Sequence, residues 1–319
     1  MRARLRNISA CDWLVLGFTA YMAVRAFLAP ESPDATVARR VQGAALVAGL
    51  LLLLATRWPL LPAGRLRSLT WRAGVFALLL VPYLWQRHLL LALGTPLLDA
   101  PLAALDRALL GEVPAVAVAG RLSPAWIEWF AVAYSCHFVL VALGTLPSVL
   151  AGQGPVARRV LAGVAVILCL GWAGYTIVPG VGPWQAQSFP APLEGGPWLV
   201  GLQGFVSEAG PLLDIFPSLH TALPCYFATV AFQHRHDWRT GRLWIAPLWP
   251  LWMALAANII VATQVLRWHY FVDVVAGLAL VALAMGLVAW MERLDASRVA
   301  RGGLRTLEPL WPEVERGVG

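Results

Sequence analysis

The sequence predicts an all-α fold: a multispan integral membrane protein of about eight transmembrane helices. Three observations predict it. Of 319 residues, 59% are hydrophobic and 13% charged, with a mean hydropathy of +0.69; a soluble domain carries roughly 45–50% apolar and about 25% charged residues. The apolar residues come in continuous blocks, which suit helices and not the alternating strands of a barrel. The 24 basic residues, all arginine, sit between those blocks. The same figures exclude disorder, whose signature is low hydrophobicity. They also exclude nucleic acid as a partner, because the net charge of +7 is not gathered into a basic run or domain. Sixteen tryptophans suit a chain with long membrane–water interfaces.

A span needs about 20 predominantly apolar residues. In order, the candidates are 13–28, 41–55, 73–93, 126–150, 160–178, 216–232, 243–266 and 271–291. The first two are the shortest and make an N-terminal two-helix membrane segment within residues 1–72. The remaining six form a core over 73–292, and 293–319 is an Arg-rich, flexible cytoplasmic tail. The first block lacks a small-residue cleavage site and is interrupted by Arg25, so it reads as a retained span and not a signal peptide. With the N-terminus inside, 17 of the 24 arginines fall on inner segments, 5 on outer ones, and Arg25 and Arg87 within spans. The positive-inside rule then puts both termini in the cytoplasm. Cys11, Cys136, Cys169 and Cys225 lie in apolar stretches without metal or disulfide spacing and read as buried thiols.

Two outer segments are long. Residues 94–123 place Leu98, Leu102, Leu105 and Leu109 at helical spacing with Asp99, Asp106 and Arg107 between them, which predicts an amphipathic helix lying on the membrane surface. Residues 179–215 are rich in Gly and Pro and carry Trp184, Phe189, Trp198 and Phe205. A connection of that length is uncommon unless functional, and its aromatics predict a cap over the outer face.

Ionisable residues at the edge of a span are costly and point to function. One such cluster, Phe216-Pro217-Ser218-Leu219-His220-Thr221, opens the sixth span. Another, Arg267-Trp268-His269-Tyr270-Phe271-Val272-Asp273, opens the eighth. One span inward and one span outward separate them, so both histidines end at the same membrane face. His269 and Asp273, four apart, share one helix face. A carboxylate there fixes the imidazole tautomer and leaves the other nitrogen free as a nucleophile, while His220 suits proton transfer. Taken alone, such histidines could simply anchor helix ends at the interface; two His-centred motifs at one face favour chemistry. Gly277, four beyond Asp273, allows close approach of a neighbouring helix.

Pro217-Ser218-Leu219-His220 with His269-Tyr270-Phe271-Val272-Asp273 resemble the two histidine motifs of the type 2 phosphatidic acid phosphatase superfamily. Phe216 before the first motif and Ala262-Thr263 before the second are most similar to its inositol phosphorylceramide synthase-like branch. Tyr134-Ser135-Cys136-His137 and the stretch from Gly174-Tyr175 to Pro183 resemble that branch more weakly. The resemblance covers roughly residues 73–291. It implies a six-helix lipid phosphatase-like core, metal-independent chemistry without a cofactor, and a phosphohistidine intermediate. By this likeness His269 is the nucleophile, Asp273 its orienting partner and His220 the acid for the leaving group. The chain departs from the phosphatases in lacking their Lys/Arg clamp, and Ala262-Thr263 stand where they have Ser-Arg. A phosphate needs donors, so Arg87, Arg267, Ser218, Thr263 and His137 are the candidate substrate contacts. Arg87 also suits snorkelling, Arg267 points away from His269 if a helix already begins there, and His137 also suits a core position. Glu128 is a candidate for an acceptor hydroxyl or for plain solvation, and Asp214 for a helix start. His88, His234 and His236 have no supporting partner in the sequence.

The reading is a membrane enzyme that moves a phosphoryl-containing group on a lipid at the outer, periplasmic or extracellular, face. Its partners are the bilayer and a lipid with a phosphate-containing head group. Whether an alcohol or water takes the group separates a head-group transferase of inositol phosphate type from a lipid phosphate phosphatase. The missing clamp favours transfer. A non-catalytic transporter or scaffold of the same fold is the alternative of another class, and intact His220, His269 and Asp273 count against it.

Overall fold

The computed structural model describes residues 6–305 apart from Pro59, Ala63, 151–153, 210–212 and 237–247. The described residues form helices and no strand; their one β-bridge pairs Gly180 with Asp214. The protein is an all-α, multispan membrane protein.

Helix α1 (Ala10–Leu28) begins at a capping box, in which Ser9 accepts from the Asp12 amide and Asp12 accepts from that of Ser9. Helix α2 (Pro33–Arg57) begins on Ser32 with Pro33 in its first turn. The two run antiparallel and are pinned at one end by a buried pair: Arg57 Nε donates to Asp12 Oδ2 at 2.7 Å, and Trp71 Nε1 donates to the other carboxylate oxygen. A buried charge is tolerable there only because it is paired and hydrogen-bonded. At the opposite end Arg25 donates to the Thr176 carbonyl at 2.8 Å.

Helices α3 (Arg65–Leu84) and α4 (Gln86–Leu93) meet at a 53° bend, with Pro82 removing a backbone donor in the last turn of α3. The connection that follows holds α5 (Asp99–Leu110) and the short α6 (Pro114–Ala117). Next come α7 (Pro124–Leu150), α8 (Gly154–Tyr175), the short α9 (Pro183–Ala186) and α10 (Pro197–Ala209). The chain ends with α11 (Leu219–Gln233), α12 (Trp249–Val265) and α13 (Phe271–Ala300).

Each of the eight segments predicted as spans falls on a helix, yet they differ in reach. Helices α1, α2, α7, α8 and α13 are long and apolar enough to cross a membrane, and the bent α3–α4 pair makes a sixth. Among the described residues helices α11 and α12 have 15 and 17 residues, shorter than those helices. The sixth predicted span loses its first residues because Ser218 caps α11; residues 243–247 of the seventh lie outside the described residues.

Helix α11 is the centre of the bundle. It packs on α7, α8, α12 and α13, and nearly its whole length is buried. A Cβ on Gly163 of α8 would sit 1.9 Å from the Tyr226 ring, so only glycine lets these helices meet there. Tyr226 completes the contact by donating its hydroxyl to the Arg159 carbonyl at 2.7 Å. The main core runs without interruption from Phe18 and Met22 of α1 through Trp71 and Trp172 to Leu280 and Met291 of α13.

Two expectations are corrected. The amphipathic helix α5 does not turn its acids to water: Asp99 and Asp106 are buried, while Leu105 and Leu109 are exposed. The acids face inward because they accept backbone N–H groups of distant loops, described below. Nor is the chain irregular directly after residue 291. Helix α13 continues to Ala300, held by Glu292 against Arg159 and by Asp295 against Arg298. Residues 306–319 of the expected flexible tail lie outside the described residues.

Candidate active site

The two histidine motifs meet at one end of the bundle. Helix α12 ends in a Schellman motif: Arg267 N donates to Gln264 O and Trp268 N to Thr263 O. The left-handed position that glycine usually fills is taken by Arg267, at φ 67°. A second donation to Thr263 O, from His269 N at 3.2 Å, fixes where the histidine begins. Thr263 therefore acts through its carbonyl; its hydroxyl donates to Ile260 O.

His269 stands just before α13. Its Nδ1 lies 3.3 Å from Asp273 Oδ2, which also accepts from Tyr270 N at 2.9 Å. Both side chains are buried. The carboxylate thus sets the tautomer with the proton on Nδ1 and leaves Nε2 as the free lone pair.

His220 lies in the first turn of α11, where the helix N-terminus favours negative charge. Ser218 caps that turn by accepting from Thr221 N, and its own N–H donates to the Asp273 carbonyl at 3.0 Å. That bond ties the two motifs together directly. Gly277 makes it possible, since a Cβ there would sit 2.6 Å from the Ser218 carbonyl. The His220 and His269 rings are consequently 5.7 Å apart.

A third histidine joins them. His137 of α7 lies 4.2 Å from the His220 ring, and Tyr134, one turn earlier, stacks on that ring at 4.4 Å and 23°. The Tyr134 hydroxyl is 3.4 Å from His220 Nδ1. Among the described residues His137 Nδ1 and His220 Nε2 are buried without a hydrogen-bond partner. Trp268 and Trp184 continue the aromatic cover over the cluster, with Trp268 6.1 Å from Tyr134 and 5.2 Å from Trp184.

The remaining candidates are dispersed. Arg87 is exposed on α4 and makes no hydrogen bond or ion pair among the described residues. Arg267 donates to Ala191 O at 2.8 Å and lies over the Phe189 ring, not against the histidines. Glu128 accepts from the amides of Gly196, Trp198 and Leu199 and so caps α10. Asp214 accepts from the Tyr83 hydroxyl at 2.9 Å, and burial pushes its carboxyl above the usual range.

Two residues outside the expected site hold it in place. Asp106 accepts from the amides of Phe271 and Val272 at 2.8 and 3.0 Å, capping α13 from another part of the chain. Burial raises its carboxyl while those two donors oppose the shift. Asp99 accepts from Val181 N, Gly182 N and the Tyr270 hydroxyl. Gly182, at φ 83°, has no room for a side chain because a Cβ would sit 2.5 Å from the Trp268 carbonyl. The signal for this pair was their seven-residue spacing, which puts both acids on one face of α5.

An imidazole oriented by a carboxylate, facing a second imidazole under an aromatic cover, can act as base or nucleophile with an acid beside it. The chain belongs to the PAP2 superfamily, whose family model matches residues 100–287 and so takes in both histidine motifs. Membership suggests lipid phosphatase or phosphotransferase activity. Neither the curated proteins nor the solved structures compared with the chain give a match.

Proposed function

We propose that the protein transfers a phosphoryl-containing head group from a membrane lipid to an alcohol through a covalent adduct on His269. This makes it a lipid phosphotransferase of the inositol phosphorylceramide synthase-like type. The observation that carries the reading is the His269–Asp273 pair with His220 on the facing helix, 5.7 Å between rings. In the first half-reaction His269 Nε2 attacks phosphorus, the bond to the lipid alcohol breaks, and protonated His220 gives its proton to the departing oxygen. In the second half-reaction the acceptor hydroxyl yields its proton to His220 as its oxygen displaces His269 from phosphorus. The arginine distribution supports an active site at the outer face with both termini inside.

The donors available favour a phosphodiester over a phosphomonoester. No arginine among the described residues is bonded within the histidine cluster, and the groups there are His137, His220 and the first turn of α11. A monoester carries about −1.5 to −2 charge at neutral pH; a diester carries one, which these groups can meet. Cover by Tyr134 and Trp268 limits water, and so favours an alcohol as acceptor.

The test is a rapid alkaline quench with a phosphodiester lipid labelled at phosphorus, followed by mapping of the labelled peptide. Wild type gives an adduct that decays faster when an acceptor alcohol is added. His269→Ala gives none. His220→Ala still forms the adduct from a nitrophenyl phosphodiester, whose leaving group needs little protonation, and discharges it about 10²–10⁴-fold more slowly. An adduct that persists in His269→Ala and vanishes in His220→Ala would reverse the assignment. Discharge unaffected by the acceptor would make the protein a hydrolase.

A further inference from the structure

Arg267 is unusual on three counts. Its side chain is buried, with the residue 8% exposed. Its charge has no carboxylate partner: among the described residues it makes no ion pair, and burial alone lowers its guanidinium. Its backbone sits in the left-handed region, at φ 67°, a conformation that costs an ordinary L-residue roughly 1–2 kcal/mol. A glycine would relieve the strain and a neutral residue the burial. Strain and an unpaired buried charge together mark a functional position more than a structural one.

The side chain lines a cavity of about 240 Å³, space for roughly eight waters at about 30 Å³ each. Its walls are the end of the α6 connection at Val118–Gly120, the start of α7 at Pro124 and Ile127, and the loop residues Ala191, Pro192, Leu193 and Glu194; among the described residues the Glu194 carboxylate forms no ion pair with Arg267. None of the three histidines lines it. The guanidinium is only partly used. Nη2 donates to Ala191 O and the flat face rests on Phe189, while Nε has no hydrogen-bond partner among the described residues. On the same first turns of α7, Trp126 and Trp129 are 56% and 52% exposed, as tryptophans are in the interfacial belt of a bilayer. At that depth phosphate groups are the abundant anions, and the planar guanidinium fork matches them.

From this geometry we propose a second anion site, separate from the histidine centre, in which Arg267 binds a phosphate group at the membrane surface. The site lies against the catalytic loop. Arg267 O accepts from Trp184 N at 2.9 Å, and His269 follows two residues later. An anion bound here neutralises the buried cation of the loop and so holds His269 in register. Its chemistry is that of a phosphate, whether free or on a lipid head group.

The experiment uses the full-length protein in neutral detergent micelles, in a His269→Ala background, so that no covalent adduct forms and the result is independent of the proposed reaction. Thermal unfolding is followed against rising inorganic phosphate in one arm and short-chain phosphatidylglycerol in the other, at constant ionic strength. Either ligand should raise the unfolding temperature. Arg267→Gln should weaken that effect roughly 10- to 100-fold, the worth of lost charge-assisted hydrogen bonds. Stabilisation by phosphatidylglycerol alone assigns the site to a lipid head group, and stabilisation by both ligands assigns it to the phosphate itself. Ala119→Leu, which fills the cavity from the Val118–Gly120 wall and leaves Arg267 in place, should abolish the effect as well and guards against misfolding of the arginine variant. No stabilisation by either ligand, or equal stabilisation of both variants and their parent, overturns the proposal.

Discussion

Replacing Gly277 by alanine tests whether the contact between α11 and α13 sets the catalytic geometry. The added Cβ would lie 2.6 Å from the Ser218 carbonyl and 3.0 Å from Thr221 Cβ, whereas ordinary contact begins at 3.4 Å. The helices must therefore part by about 0.8 Å at this point. The same region carries the Ser218 N–H to Asp273 carbonyl bond, so the displacement passes directly to the separation of His220 and His269. A misplacement of about 1 Å can cost on the order of 10²-fold in rate, and we expect turnover to fall by about 10- to 100-fold. Stability should change far less: overpacking costs typically about 1–3 kcal/mol, against which alanine gains about 0.8–1 kcal/mol of helix propensity over glycine. Gly286, on the same helix, has open space where a Cβ would stand, with no atom within 4 Å. Gly286→Ala is therefore the matched control, with unchanged turnover. The assay is turnover of a labelled lipid in micelles beside thermal unfolding of both variants. If Gly277→Ala turns over like Gly286→Ala, the helix contact does not set the geometry of the site.

Three further outcomes are expected. Asp106→Ala removes both acceptors from the start of α13; losing two charge-assisted bonds of about 1.5–3 kcal/mol each should lower the unfolding temperature clearly, and Asp106→Asn should restore part of it. Gly163→Ala collides with the Tyr226 ring and should reduce the yield of folded protein, with Tyr226→Leu in the same chain recovering it. Chelation with EDTA should leave turnover intact, because Asp273 is already committed to His269 and the Tyr270 amide; loss of activity that Mg²⁺ restores would refute this assignment of roles.

The helical segments were legible because unbroken apolar runs leave few alternatives in a membrane. The meeting of His220, His269 and Asp273 was legible too, since charged groups at the ends of such runs are rare and the connectivity brings them to one end of the bundle. The orientation of α5 was not. Its acids flank the leucine strip and share the buried side with Leu102, and how far the helix is turned toward them depends on amide donors 82 to 166 residues away. His137 shares a helix face with Tyr134 three residues before it, which hinted at a common target without naming His220 as that target. The Schellman turn at Arg267 was hidden for a different reason: the sequence offers arginine where this backbone normally asks for glycine.

The polar contacts also differ in when they become available during synthesis. Asp12 finds Arg57 and Trp71 within the first quarter of the chain, so the opening hairpin can leave the ribosome with its charge already matched. Asp106 must wait for Phe271 and Val272, Ser218 for Asp273, and Asp99 for Tyr270. N-terminal elements generally fold first as a chain is made. The ties that hold the second histidine motif thus fall due when residues 270–273 emerge, whereas the packing of His137 and Tyr134 on His220 needs only the chain up to α11. The two histidine motifs are therefore joined only once the start of α13 has been made.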